Sequence, residues 1–184
     1  MGDQYSLRIT LNSLGLVFQK QGRFDEAIQA FQRQIEISQT FNDQKSLVIG
    51  LNCLGRVFQQ QGRFDEAIEA FQRQIKISQT LNDQKSLAIG LNCLGGVFQQ
   101  QGRFDEAIQA FQRWIEISKT LDDQRSLAIG FNCLGRVFQQ QGRLDEAIQA
   151  FQQVVEISQT LNDQRQIAIG SNCLNEVLQQ LGRV

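Results

Sequence analysis

The sequence contains no proline and no histidine among its 184 residues. Average usage of about 5% would give roughly nine prolines, and proline disrupts helix interiors, so its absence favours long, uninterrupted helices. Histidine is the side chain most often used as a general base or metal ligand, so its absence weakens the case for an enzyme or a metal protein. The net charge of −1 excludes a general attraction to nucleic acid or to an anionic membrane. No apolar run approaches the roughly 20 residues of a membrane helix, and we expect no membrane partner.

The chain repeats itself. The string "NCLGRVFQQQGR" at 52–63 returns unchanged at 132–143, and at 92–103 with Gly96 in place of arginine. Segments 51–90, 91–130 and 131–170 align without a gap, so the period is forty residues. A period of about 20 to 50 residues is typical of a solenoid, in which each unit covers the apolar face of the next. We predict one domain over 1–184, with units at approximately 4–43, 44–83, 84–123 and 124–163 and a final helix at 164–182.

Each unit contains two helical patterns. On the first helix, residues spaced by three and four positions form an apolar core stripe; its members are Leu51, Leu54, Gly55 and Phe58. The opposite face is mostly polar and comprises Ile49, Asn52, Arg56, Gln59 and Gln60. Three residues fall between the two faces, namely Gly50, Cys53 and Val57. The first helix of every unit is therefore expected to be amphipathic.

The second helix has its own stripe, formed by Ala67, Ile68, Phe71 and Ile75. Gly62 stands just before this helix, where a left-handed residue is expected to end the first one. Asp83 is positioned to cap the first helix of the next unit. No segment alternates every second residue, so strands are excluded and the fold class is all-α.

These motifs resemble the tetratricopeptide repeat (TPR) family. The patterns L-x-x-L-G-x-x-F at 51–58 and A-x-x-x-F at 67–71 are similar to its signature and recur in four units. The family repeat has 34 residues and a proline after its second helix, whereas this repeat has forty and carries Gln79 there. This longer variety resembles the repeats of kinesin light chains, LGN-type polarity adaptors and bacterial signalling arrays. The resemblance implies a right-handed superhelix that serves as a non-catalytic scaffold for protein interactions.

One cysteine occurs in each unit, at Cys53, Cys93, Cys133 and Cys173. Packed helices lie about 8–10 Å apart, whereas a disulfide needs Cα atoms within about 7 Å. Cysteines that occur once in each successive unit are also spread along the array, so they do not converge on a single metal ion. We therefore predict reduced, packed thiols, with no metal and no cofactor, and a cytoplasmic location.

Pairs of acidic residues begin each second helix, at Asp25–Glu26, Asp65–Glu66, Asp105–Glu106 and Asp145–Glu146. Adjacent helical residues do not face each other, and acids at a helix start favour the positive end of its dipole. We assign them no catalytic role, and we predict that the chain is not an enzyme. The single tryptophan, Trp114, replaces Gln34, Gln74 and Val154 of the other units. We interpret it as a packing variant, with a local interface anchor as the alternative.

The candidate binding site begins with a ladder of asparagines, namely Asn12, Asn52, Asn92, Asn132 and Asn172. A carboxamide both donates and accepts hydrogen bonds, so such a ladder can hold the backbone of an extended peptide. In the families this chain resembles, asparagines of the first helix on the concave surface serve that purpose. The alternative is that the asparagines bond to neighbouring repeats and keep them in register, and both roles can hold together.

One turn after the asparagines the residue varies between units: Leu16, Arg56, Gly96, Arg136 and Glu176. Such a column beside a uniform ladder would read the side chains of a bound peptide, although drift at an exposed site gives the same pattern. Glutamines on the same face complete the candidate site: Gln59, Gln99 and Gln139. Arginines on either side of Gly96 favour an extended, acidic partner segment with a large apolar residue between its charges.

Two other function classes remain open. A self-associating module would stack near-identical units end to end through exposed helix faces. An RNA-reading helical repeat is disfavoured by the 40-residue period and the lack of a basic groove.

The last helix carries polar residues, Ser171, Asn175 and Glu176, as a terminal cap would. The alternative, which we favour, is a fragment cut from a longer array.

Overall fold

The computed structural model describes residues 2–182, with side chains from residue 6 onwards. Over this range the chain forms nine α-helices and no strand. The helices are α1 (Gly2–Lys20), α2 (Phe24–Thr40), α3 (Gln44–Gln60), α4 (Phe64–Thr80), α5 (Gln84–Gln100), α6 (Phe104–Thr120), α7 (Gln124–Gln140), α8 (Leu144–Thr160) and α9 (Gln164–Gln180). The chain divides into two compact units, Met1–Val97 and Phe98–Val184. Odd-numbered helices are the first helices of the repeats and even-numbered helices are the second.

The helix starts confirm the all-α prediction and the period of forty. First helices begin at Gln44, Gln84, Gln124 and Gln164, and second helices begin at Phe24, Phe64, Phe104 and Leu144. Gln79 lies inside α4, so the second helix continues through the position where the 34-residue repeat has proline. Longer helices therefore account for the longer repeat.

Both turns of the repeat end a helix with a left-handed residue. Gly62 has φ of +73°, and Arg63 N donates to Phe58 O at 2.9 Å, which confirms the predicted glycine stop. The second turn uses Asn82 instead, with φ of +54°. This role of asparagine was not predicted from the sequence, although asparagine tolerates the left-handed region better than most residues.

The predicted aspartate caps are present at the first helices. Asp43, Asp123 and Asp163 each accept a hydrogen bond from the backbone N–H three residues later. Asp83 Oδ1 likewise accepts from Ser86 N at 3.1 Å. Hydrogen bonds from the Ser86 side chain and backbone hold the pKa of the Asp83 carboxyl below its usual value. The helices α3, α5, α7 and α9 are thus each capped at the N-terminus by an aspartate.

The interior first helices α3 and α7 each pack against the second helices on both sides, and this corrects one prediction. Gly55 allows α3 to approach its own second helix: a Cβ at Gly55 would lie 2.7 Å from the Phe71 ring. Gly50 faces the preceding second helix, where a Cβ would lie 2.8 Å from Ile35 Cγ1. We expected Gly50 and Val57 between the two faces, but both are buried. The apolar surface of α3 is therefore wider than a single stripe.

The repeat predicts equivalent burial for Phe18, Phe58, Phe98 and Phe138, which occupy the same position of the core stripe, and this prediction is wrong for Phe18. Phe58, Phe98 and Phe138 are each 7% exposed, whereas Phe18 is half-buried. Among the described helices α1 packs only against α2 and α3, so no second helix covers its other side. For the same reason Val17 is 48% exposed.

The tryptophan is a core residue, as predicted. Trp114 is 5% exposed and its ring centroid lies 6.3 Å from that of Phe111 on the same helix. The spacing and the 50° tilt between the rings are favourable for an aromatic pair. The anchor interpretation has no support because the side chain is buried within its unit.

None of the helices in the described part of the chain is long and apolar enough to cross a membrane.

Candidate functional site

Within each compact unit, the candidate site is the face of the first helices that carries the ladder asparagines, and we call it the first-helix face. It comprises the ladder positions together with the variable column one turn later. Asn12, Asn52, Asn92 and Asn132 are half-buried, and Asn172 is exposed. The ladder thus lies at the boundary between the packed interior and solvent.

Within each compact unit, the ladder asparagines contact the cysteines of the next first helix. Cys53 Sγ donates to Asn12 Oδ1 at 3.8 Å, and Asn52 Nδ2 donates to Cys93 Sγ at 3.7 Å. These bonds connect α1 to α3 and α3 to α5. Sulfur is a weak partner, but the contact repeats once per period and fixes the register of neighbouring first helices.

The same contact occurs in the Phe98–Val184 unit, where Cys173 Sγ donates to Asn132 Oδ1 at 3.9 Å. The asparagines therefore do pair between repeats, as the register alternative expected. Each such pairing uses only one polar atom of the carboxamide. Among the described residues, the Oδ1 of Asn52 has no hydrogen-bond partner. A role in register and a role in binding are both compatible with this geometry.

The thiols beside the ladder are poorly reactive. All four cysteines are free, and burial raises the pKa of Cys53 and of Cys133 to about 11. The nearby guanidinium groups of Arg56 and Arg136 oppose this shift but do not overcome it. The two thiols are thus protonated at neutral pH and act as packing groups. Over residues 2–182, no three His, Cys, Asp or Glu side chains converge as metal ligands.

One of the predicted glutamines, Gln99, has a hydrogen-bond partner within the protein. Gln99 Nε2 donates to Gln140 Oε1 at 2.9 Å. Two periods earlier in the chain, Gln19 Nε2 donates to Gln60 Oε1 in the same way. These bonds join successive first helices, as the asparagine–cysteine contacts do. The sequence analysis assigned Gln59, Gln99 and Gln139 to peptide binding. Gln99 thus joins two first helices, and peptide binding by the three glutamines stays a prediction.

The variable column differs most at its two arginines and its glycine. Arg56 and Arg136 are exposed, and neither forms an ion pair with any residue in the described range. Arg136 Nη2 donates to Cys173 Sγ at 3.9 Å, a weak contact with a neutral partner. A Cβ at Gly96 would meet only Gln59 Nε2, at 3.7 Å. The face therefore carries uncompensated cations and, at Gly96, open space.

A column of exposed isoleucines, which was not predicted from the sequence, also lies on this face. Ile9, Ile49, Ile89 and Ile129 are 48%, 50%, 50% and 40% exposed, and each lies three residues before a ladder asparagine. Ile49 was assigned to the mostly polar face from its helical position. Its recurrence at every period was the signal that would have identified an apolar column. Scattered exposed isoleucines need no explanation, but an ordered column beside polar groups offers contacts to an aliphatic ligand.

The acidic pairs at the second helices are structural. Arg63 lies over the Phe58 ring, with 4.4 Å from its Cζ to the ring centroid, and it donates to Glu66 Oε1 at 2.6 Å. Hydrogen bonding to this guanidinium lowers the pKa of Glu66. The same arrangement recurs at the other three turns. The arginine accounts for the glutamates, together with the helix dipole, and the sequence analysis did not foresee its contribution.

Helix pairs repeated at a constant period, with small residues at the helix contacts, define a tetratricopeptide repeat protein. The chain belongs to the family described as the MalT-like TPR region, whose family model matches residues 2–173. No curated protein sequence matches the chain. The repeat fold of this family commonly mediates protein interactions.

Solved structures agree on the fold. BtubC (BKLC) from P. vanneervenii is similar at a TM-score of 0.85 and 22% identity, over 94% of this chain and 72% of that one. A putative kinesin light chain from Podosopora anserina, with nearly identical TPR-like repeats, gives 0.83 and 20%, over 100% of this chain and 90% of that one. Aspartyl phosphate phosphatase F from Bacillus subtilis is similar at a TM-score of 0.86 and 14% identity, over 93% of this chain and 45% of that one. These similarities confirm the expected likeness to kinesin light chain repeats.

Proposed function

We propose that this chain is a scaffold whose first-helix face binds an extended segment of a partner protein. The asparagine ladder is the observation that supports this most directly. Its carboxamides recur at every period, are half-buried in four of five repeats, and at Asn52 retain a free acceptor. An extended peptide presents backbone donors and acceptors along its length, and preplaced amides bond to them at low ordering cost.

The charges of the face favour an acidic partner. Arg56 and Arg136 have no carboxylate partner among the described residues, so a ligand carboxylate would gain a charge-assisted hydrogen bond without breaking an existing ion pair. Gly96, which precedes Arg136 and follows Arg56 in the column, leaves room for a large apolar side chain. The partner segment is therefore acidic, extended and interrupted by one bulky apolar residue.

A peptide array tests this chemistry. The 184-residue chain is incubated with arrayed ten-residue peptides that vary in charge and in the size of one central residue. Arg56→Glu is expected to weaken binding of acidic peptides and to leave helicity unchanged. Arg73→Glu is the matched control, because Arg73 is an exposed arginine on the second helix α4. Bound peptides without acidic bias, or equal losses in the two variants, would contradict the proposal.

A scaffold of this kind needs no catalytic residue, cofactor or nucleic acid, and we propose none for this chain. The four free thiols fit a reducing compartment, so we place the protein in the cytoplasm. Fractionation of cells that express a tagged chain would test the location.

Self-association is a second candidate function, favoured by the apolar surface of α1. Leu14 is 41% exposed and Val17 is 48% exposed, whereas their counterparts Leu54 and Val57 are buried in α3. A helix from a second copy would bury this surface. Light scattering is expected to show an apparent molar mass that increases with protein concentration. Val17→Lys is expected to abolish this increase. A mass that stays at the monomer value would exclude this function.

A further inference from the structure

A cavity of about 330 Å³ lies within the Phe98–Val184 unit. It is lined by the N-terminal parts of α7 and α9 and by the end of α8. Ile129 and Leu161, which are 40% and 36% exposed, give it apolar walls, and Asp163 contributes a carboxylate. The volume lies within the range of roughly 300–1,000 Å³ that is typical of ligand pockets, so the cavity can hold a long side chain.

The carboxylate of Asp163 has one oxygen without a partner. Asp163 Oδ1 accepts a hydrogen bond from Gln166 N at 3.1 Å and so caps α9. Asp163 Oδ2 accepts no hydrogen bond and forms no ion pair among the described residues. The side chain is half-buried, and the fully buried oxygens that lack a partner in the described range belong to other residues. Asp163 Oδ2 is therefore accessible to a donor.

Asp163 lacks a second donor because a serine of the repeat is replaced in α9. Ser86 Oγ donates to Asp83 Oδ2 at 2.7 Å, and the same bond recurs at the caps of α3 and α7. Gln166 stands at the equivalent position of α9 and has no hydroxyl group. Asp163 thus keeps its role as a cap and has an oxygen left over for a ligand.

The first repeat shows which side chain fits beside such a cap. Arg8 lies in α1 at the position that Ala128 occupies in α7, three periods later. It is 8% exposed, and its Nη1 lies 2.7 Å from Oδ2 of Asp43, the capping aspartate of α3. Asp43 and Asp163 are equivalent in the same register. The same position thus carries a buried arginine beside α3 and, with alanine, leaves an open cavity beside α9.

We infer that the cavity beside α9 is a binding site for an arginine side chain of a partner protein. Its guanidinium group would donate to Asp163 Oδ2, as the guanidinium of Arg8 pairs with Asp43. Its methylene groups would lie against Ile129 and Leu161, since arginine buries its stem on apolar surface. Guanidinium is more weakly hydrated than ammonium, so arginine fits a half-buried carboxylate better than lysine does. The inference goes beyond the proposed function, because no asparagine of the ladder lines this cavity.

Two small probes test the site without any peptide. Nα-acetyl-arginine amide carries the guanidinium group, and its citrulline counterpart has a neutral urea of the same shape. Each probe is titrated into the full chain with ¹³C-labelled isoleucine methyl groups, in which Ile129 is assigned through Ile129→Val. We expect the Ile129 methyl group to shift, with the arginine probe binding roughly tenfold more tightly, as one hydrogen bond to a charged group provides. Equal affinities, or shifts that bypass Ile129, would overturn the inference.

Variants of the carboxylate show whether Asp163 binds the probe. Asp163→Asn removes the charge but keeps a good helix cap, so the chain is expected to fold and to lose its preference for the arginine probe. Asp83→Asn is the matched control and should preserve the preference, because Asp83 Oδ2 already accepts a hydrogen bond from a serine. Ala128→Arg gives α7 the arginine that α1 carries, and we expect it to occupy the site and suppress binding of both probes. A preference that survives Asp163→Asn, or undiminished binding by Ala128→Arg, would overturn the inference.

Arg125 also lines the cavity, and it forms no ion pair with any described residue. Its charge repels a bound guanidinium group. Arg125→Gln is therefore expected to tighten binding of the arginine probe roughly two- to fivefold, as the loss of an exposed like charge allows, and to leave the citrulline probe unaffected. An unchanged or weaker affinity of this variant for the arginine probe would overturn the inference.

The probes separate this inference from the proposed function. A response of Ile129 to the arginine probe, in a chain that binds no arrayed peptide, would support the arginine site and overturn the proposed function. Peptide binding at the first-helix face, with no response of Ile129 to the arginine probe, would overturn the arginine site alone.

Discussion

Two glycines in the first helices should respond in opposite ways to the same substitution. Gly55 lies in the body of α3 and Gly96 in the body of α5, so alanine should favour the helix at both sites by about 0.8–1.0 kcal/mol. The surroundings differ. A Cβ at Gly55 would lie 2.7, 2.9 and 3.0 Å from three atoms of the Phe71 ring, whereas at Gly96 it would meet only Gln59 Nε2 at 3.7 Å.

The magnitudes follow from these distances. Phe71 is 0% exposed, so its ring has little freedom to move away from a new methyl group at Gly55. Overpacking of this kind costs about 1–3 kcal/mol, which exceeds the helix-propensity gain in most of that range. We expect Gly55→Ala to be destabilising by up to about 2 kcal/mol. We expect Gly96→Ala to be stabilising by about 0.5–1 kcal/mol.

Urea unfolding followed by circular dichroism would measure both changes in the full chain. A third variant, Gly55→Ala with Phe71→Leu, should show a smaller combined loss than the sum of the two single losses, because the smaller side chain makes room for the methyl group. If Gly55→Ala and Gly96→Ala stabilise the protein equally, the close approach of α3 and α4 is wrong. Additive losses in the double variant would contradict the reasoning in the same way.

Three further predictions concern the core, the caps and the thiols. Phe98→Ala should cost about 3–5 kcal/mol in the free energy of unfolding, and a loss below about 1 kcal/mol in urea denaturation would contradict the assigned core. Asp83→Ala should cost about 1 kcal/mol by removing the cap of α5, and an unchanged urea midpoint would exclude that role. Because burial raises the pKa of Cys53 and Cys133 to about 11, their contribution to stability is complete below the unfolded thiol value of about 8.5 and is lost as pH rises towards 11. The urea midpoint should therefore fall more between pH 8 and pH 10.5 in the native chain than in the variant with both Cys53→Ala and Cys133→Ala. An equal fall in the two proteins would contradict this prediction.

Much of the fold is encoded locally and was predictable from the sequence. The turns illustrate this: Gly62 and Asp83 each act within one turn of their own position, through backbone conformation and a cap. The period of forty then required only that identical segments fold identically. The burial of Phe98 followed from its place in a helical stripe.

Other features depend on neighbouring repeats, and a single helix does not reveal them. Gly50 is buried because the preceding second helix covers a flank of α3. Phe18 is only half-buried because no described helix covers the corresponding flank of α1. Buried glutamines such as Gln74 were missed because glutamine is usually a surface residue, and its role depends on a backbone carbonyl twelve residues away.

The candidate site was predictable in its position but not in its bonding. The ladder and the variable column lie on the first helices as the spacing indicated, with Asn52 half-buried and Arg56 exposed. The bond from Asn52 to Cys93 spans 41 residues, one period plus one, and arises from the stagger between two helices. Periodicity alone does not specify that stagger.

The central claim is tested most directly by measuring peptide binding to the Asn92→Ala variant by calorimetry. The ligand is the tightest-binding peptide from the array, and urea unfolding of the same variant is the control. The amide of Asn92 is half-buried on the first-helix face, so its removal should leave a bound peptide group unpaired. We expect affinity to fall by about 1–3 kcal/mol, roughly 5- to 150-fold, with the free energy of unfolding changed by less than about 0.5 kcal/mol. Unchanged affinity, or unfolding that precedes the loss of binding, would show that the ladder only sets the register of the repeats.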